Sequence, residues 1–151
     1  MSIEATLAEK GITLPDAPAP AANYVPFAQS GNLIFVSGQI SADENGLITG
    51  KLGENVSVED GAAAARRCGL SLIAQVKAAI GDLDRVARVV KLTGFVNSTP
   101  DFTDQPKVIN GCSDLMVEVF GDVGRHSRAA VSAPSLPFGV AVEIEAVFEV
   151  A

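Results

Sequence analysis

The chain has 151 residues, 48% of them hydrophobic, with a net charge of −7 and a pI near 4.6. That length fits one domain with a sizeable core. The acidity argues against nucleic acid, whose binding rests on Lys and Arg neutralising phosphates, and against anionic membrane surfaces.

No apolar run approaches the roughly 18 residues of a membrane-spanning helix. The start, Met1-Ser2-Ile3-Glu4-Ala5-Thr6, has no basic region followed by an apolar stretch, so no secretory leader is expected. Cys68 and Cys112 are the only cysteines and His126 the only histidine. Both cysteines fall near the apolar sides of predicted helices, where a thiol acts as a small hydrophobe. Neither a disulfide framework nor a zinc site is expected, and a cytoplasmic location follows.

In chain order, Ser2 to Lys10 reads as a short helix stopped by Gly11 and Pro15. Pro15 to Pro20 is a Pro/Ala-rich extended arm. Tyr24 to Ala28 and Leu33 to Val36 read as strands joined by a turn at Gln29-Ser30-Gly31-Asn32. Ser37-Gly38-Gln39 follows, where backbone can approach a ligand closely. Asp43 to Gly46 is a turn, with a short strand from Leu47 to Gly50.

Ser57, with Asp60 three residues on, marks a helix start. Ala62, Ala65, Gly69, Leu72, Val76 and Ala79 recur at helical spacing, small in the first half, so this helix can lie close to a sheet. Gly81 ends it. Val86 to Asn97 is a long strand, with Val86, Val90, Leu92 and Val96 on one parity. A second helix begins at Thr103 or Asp104 with Pro106 in its first turn. Val108, Ile109, Cys112, Leu115, Met116, Val119 and Phe120 form its apolar stripe, and Gly121 closes it. The last strands run from about Ser127 to Ala133 and from Val140 to Val150. In the final strand Val140, Val142, Ile144, Ala146, Phe148 and Val150 share one face, and Glu143, Glu145 and Glu149 share the other.

This order predicts an α+β fold: one sheet with two main helices on one face. The other sheet face then needs a partner. No dinucleotide or phosphate loop is present. Gly111-Cys112-Ser113-Asp114-Leu115 lacks the closing glycine of a nucleophile elbow and lies inside a helix, which makes Ser113 a polar helix position.

Arg128 and Glu143 stand fifteen positions apart on the last two strands, joined through Leu136-Pro137. Arginine offers a rigid fork for a carboxylate, and glutamate can position water or move a proton. A cross-strand charge pair is the structural alternative.

Ser37-Gly38-Gln39-Ile40 after an apolar strand, Arg128 eight residues before Leu136-Pro137, and Val142-Glu143-Ile144-Glu145-Ala146 together resemble the RidA/YjgF family, also called endoribonuclease L-PSP. The likeness runs from about Tyr24 to Val150. The N-terminal helix and arm, residues 1–22 of a single domain over 1–151, and the segment from Thr99 to Ile109 resemble a longer subgroup.

The resemblance implies a chorismate-mutase-like fold and a homotrimer whose sheets form a central barrel. It implies hydrolysis of reactive 2-imino acids to 2-keto acids and ammonia, without a cofactor. It assigns Arg128 to the substrate carboxylate and Glu143 to the attacking water. By the same likeness Tyr24 is expected to line the substrate pocket, Gly38 to contact substrate through its backbone, and Asn110 to bind it from the second helix. Two positions depart from well-known members: Ala130 stands where a cysteine is common, and His126 where proline is common. A non-catalytic trimer that binds small carboxylic metabolites is the rival reading. The acidic charge argues against a ribonuclease.

Overall fold

The computed structural model describes residues 1–20 and 22–151. Its elements are α1 (Ile3–Glu9), β1 (Phe27–Ser30), β2 (Leu33–Ile40), β3 (Ala42–Asp43), β4 (Gly46–Leu47), α2 (Val58–Ile80), β5 (Val86–Asn97), α3 (Gln105–Phe120), β6 (Ser127–Ala133) and β7 (Val142–Val150). The main sheet has the order β1-β2-β7-β5-β6. All its pairs are antiparallel except β5–β6, and α3 supplies the crossover that a parallel pair requires.

The helix boundaries follow local chemistry. The Ser57 hydroxyl accepts from the Asp60 amide at 3.1 Å and starts α2. Gly81, at φ 82°, ends it. Pro106 sits in the first turn of α3 and Gly121 closes that helix. The Ser2 hydroxyl caps α1 through the Ala5 amide at 3.0 Å, and a Glu4–Lys77 ion pair of 2.8 Å ties α1 to α2.

α2 and α3 cover one sheet face. Ile34, Leu92, Val142, Ile144 and Phe148 from the sheet meet Leu72, Val76, Ile109, Leu115 and Met116 from the helices, all fully buried. Each such side chain contributes about 1.5–3 kcal/mol relative to exposure. The small residues of α2 serve α3 as well as the sheet. A Cβ on Gly111 would lie 1.9 Å from the Ala62 carbonyl oxygen.

Several expectations need correction. Tyr24 lies in a bend and β1 begins at Phe27, because residues 25 and 26 bond Ser37 outside the ladder. The β1–β2 turn is the two residues Gly31-Asn32, with Gly31 at φ 61°. The strand expected at Leu47–Gly50 stops at Leu47, leaving Thr49 bridged to Val140, and β7 starts at Val142. In β5 the buried residue is Val89, with Val90 outside the core. Irregular pairing with β7 between Val86 and Lys91 breaks the simple alternation. β6 and β7 are not neighbours, since β5 lies between them.

The face without helices exposes Phe35 (45%) and Val131 (44%). Phe35 pairs with Val147 and Val131 with Phe95, so the apolar positions run across this face. None of the helices among the described residues is long and apolar enough to cross a membrane.

Candidate active site

The expected site residues fall into two groups. The first surrounds a cavity of about 440 Å³ at the open end of β2, lined by Tyr24, Gly38 and Glu143 together with Gln39, Gln75 and Phe138. Its geometry starts from a bulge. Between the pairs Val36–Ala146 and Gln39–Ile144, β2 spends two residues, Ser37 and Gly38, against one of β7. The Ser37 hydroxyl donates to the Val25 carbonyl at 2.7 Å, which draws that edge away from the ladder. Gln39 turns inward, and its amide donates to the Ser37 carbonyl at 2.8 Å.

Gly38 is required for space. A Cβ there would stand 2.3 Å from Glu143 Oε2, so the missing side chain is where the carboxylate lies. Burial pushes the Glu143 carboxyl above the usual carboxylate range, and nearby Glu145 adds to the rise. A carboxyl with a raised pKa is a stronger base as the carboxylate, which can take a proton from water, and the acid so formed can donate to a leaving nitrogen.

The second group gathers on α3. The Arg128 guanidinium donates to Ser113 Oγ at 3.0 Å and to the Pro106 carbonyl at 3.3 Å. No carboxylate among the described residues forms an ion pair with it. Asn110, exposed, stands four residues after Pro106 and three before Ser113, on the same helix face.

His126 is more than a surface histidine. It is partly buried, with Nδ1 at 2.6 Å from the Gly124 carbonyl and Nε2 at 2.8 Å from Ser113 Oγ. A carbonyl only accepts, so Nδ1 carries the proton, and in the neutral ring Nε2 accepts from the Ser113 hydroxyl. Ser113 then directs its lone pairs to Arg128. The chain Gly124–His126–Ser113–Arg128 orients the guanidinium. Sequence reasoning missed it because thirteen positions separate Ser113 from His126. No spacing in the sequence signals it: His126 lies just before β6 and Ser113 midway along α3.

The two groups do not meet within one chain. Arg128 pairs with Leu92 and Glu143 with Phe95 on the same strand. Leu92 and Phe95 are three apart on a regular stretch, so they point to opposite faces. Arg128 lies on the helix side and Glu143 on the other, which also removes the cross-strand charge pair as an explanation. Ala130 shares the face of Arg128 and packs partly buried against the core.

Other reactive groups are silent. Burial raises the Cys68 thiol well above its ordinary range and pushes Cys112 up to about 12, so both stay protonated. Among the described residues no three of His, Cys, Asp and Glu cluster as metal ligands.

Comparison with known proteins agrees with this architecture. Residues 4–149 match the family described as "YjgF/chorismate_mutase-like, putative endoribonuclease". The chain is 54% identical over 149 residues to Protein TCP17 of Trypanosoma cruzi, covering 97% of this chain and 93% of that one. A solved structure of the protein Atu1372, of unknown function, from Agrobacterium tumefaciens superposes with a TM-score of 0.90 at 49% identity, over 99% of this chain and 94% of that one. E. coli TdcF, solved with bound serine, gives 0.64 at 26% identity over 89% and 94%. The chain belongs to the RidA/YjgF family, with its mixed α+β, chorismate-mutase-like fold.

Proposed function

We propose that the protein is a cofactor-free hydrolase of 2-imino acids, acting at a site shared by two chains of a homotrimer. The observation that carries this reading is the division of the chemistry. An oriented guanidinium without a carboxylate partner lies on one face, and a half-buried carboxyl facing a cavity lies on the other. Each is half of a site, and a second chain with its α3 edge against the cavity completes it. The uncovered sheet face bearing Phe35 and Val131 supplies the apolar surface for that assembly.

In the joined site Arg128 of one chain holds the substrate carboxylate with two parallel hydrogen bonds, and Asn110 stands beside it. Glu143 of the neighbouring chain takes a proton from water as the oxygen attacks the C=N carbon. It then returns the proton to nitrogen. The carbinolamine collapses to the 2-keto acid and ammonia, so atoms and protons balance without a cofactor. TdcF, a relative, was solved with bound serine, and an amino acid bound by a relative supports a small carboxylic ligand here. It serves equally the rival reading, a trimer that binds such acids without turnover.

Ammonia release from imines made in situ separates the two. Wild type should hydrolyse at least one imine. Arg128→Ala should lose both binding and turnover, and Lys should restore little, because an ammonium lacks the fork. Glu143→Gln should keep 2-ketobutyrate binding but slow turnover by about 10²-fold or more. Binding without turnover of any imine by wild type would establish the metabolite binder.

A further inference from the structure

The cavity beside Glu143 is larger than a small imino acid needs. Its volume of about 440 Å³ lies in the ~300–1,000 Å³ range of pockets that enclose drug-sized ligands. In the single chain, before a neighbouring α3 edge is set against the cavity, a three-carbon acid would leave most of it empty.

Its lining carries five polar side chains, Tyr24, Gln39, Ser71, Gln75 and Glu143, and the two amides among them are hydrogen-bonded within the chain. The buried Gln75 amide donates to the Pro18 carbonyl at 2.7 Å and to Gln39 Oε1 at 3.4 Å. The Gln39 amide is engaged with Ser37. The rest of the lining is largely apolar, with Pro18, Pro20, Leu47, Pro137 and Phe138 among it.

That apolar lining is built, not incidental. The N-terminal arm is drawn over the cavity by the Gln75–Pro18 bond, and Ile12 and Leu14 pack its base on the core. Phe138 holds left-handed backbone, φ 59° and ψ 13°, the only non-glycine with positive φ among the described residues. An aromatic residue adopts that conformation only against strain, and strain gathers where a site requires it. Its ring stays 66% exposed at the cavity mouth, so burial in the core does not explain it.

We propose that this cavity is a side-chain subsite for a large apolar substituent, selecting imino and oxo acids with leucine-like or phenylalanine-like side chains over three-carbon ones. It rests on the functional reading above for the placement of the reacting carbon beside Glu143. Phe138 and the arm residues Pro18 and Pro20, all part of the cavity lining, would contact the substituent.

The test is calorimetric binding of pyruvate, 4-methyl-2-oxopentanoate and phenylpyruvate to the full chain, beside kcat/KM for imines generated from alanine, leucine and phenylalanine. The larger acids should bind at least about 10-fold tighter than pyruvate, since even one methylene in an apolar pocket is worth that order. Phe138→Ala, and Gln75→Leu, which cuts the bond to the arm while filling the same volume, should each narrow the ratio at least about threefold. Equal binding of all three acids, or a ratio that neither substitution moves, overturns the subsite. Equal kcat/KM for alanine-derived and leucine-derived imines overturns it and leaves the hydrolase reading standing. Selective binding of the larger acids with no turnover of any imine keeps the subsite and ends the hydrolase reading.

Discussion

Gly38 and Glu143 compete for one small volume, and the chain resolves the conflict by omitting a side chain. A Cβ at position 38 meets only the far end of the Glu143 side chain. Gly38→Ala should therefore fold and melt within about 1 kcal/mol of wild type, since a surface-accessible carboxylate can swing aside, yet lose turnover through the displaced carboxyl. A variant as active as wild type would separate Gly38 from the site. Glu143 itself couples function to stability. Its folded carboxyl holds its proton to higher pH than in the unfolded chain. Between the unfolded and folded pKa values the native state binds more protons, so stability falls as pH rises through that window. Glu143→Gln removes this loss: the two proteins should melt together at acid pH, and the variant should melt higher at neutral pH. Identical melting across that range would show that the buried carboxylate carries no penalty. At this scale Tyr24, Gly38 and Glu143 were legible in sequence as pocket residues through their family positions. Ser113 and His126 were not, because a hydrogen-bonded chain forms in space and leaves no spacing pattern.

The helices and strands were legible where punctuation is local. Ser57, Gly81, Pro106 and Gly121 bound α2 and α3 as expected, since caps and breakers act within a turn of themselves. Strand order was less visible. Consecutive strands usually lie side by side, so Arg128 and Glu143 read as cross-strand neighbours, whereas β5 pairs with both β6 and β7 and separates them. Pairing irregularities in β5 hid in the same way, replacing Val90 with Val89 in the core. The helix pair makes its own demand. At Gly111 the α3 backbone approaches the Ala62 carbonyl so closely that no side chain fits, and the obstacle is backbone, which cannot rotate away. Gly111→Ala should cost about 3 kcal/mol, the upper range of overpacking, read as a lowered denaturant midpoint. Because α3 also carries Asn110, Ser113 and the Arg128 contacts, this substitution should weaken keto-acid binding as well. A loss below about 0.5 kcal/mol, the range of ordinary surface changes, would mean the helices do not cross this tightly.

The molecule as a whole presents halves. One edge holds Arg128 of β6 against α3, the opposite face holds Glu143 beside its cavity, and the uncovered sheet exposes Phe35 and Val131. In the proposed cyclic assembly of three such chains the sheet faces would be buried and each Arg128 edge set against a neighbouring cavity. The most direct measurement mixes two impaired proteins. Arg128→Ala and Glu143→Gln chains, each slowed by about 10²-fold or more alone, are unfolded together in equal amounts, refolded and assayed for ammonia release. In a cyclic trimer, every mixed particle contains one junction that joins an intact Arg128 to an intact Glu143. Three quarters of the particles are mixed, so activity should return to about one quarter of wild type. If the refolded trimers stay as inactive as either parent, Arg128 and Glu143 do not form a shared site across two chains.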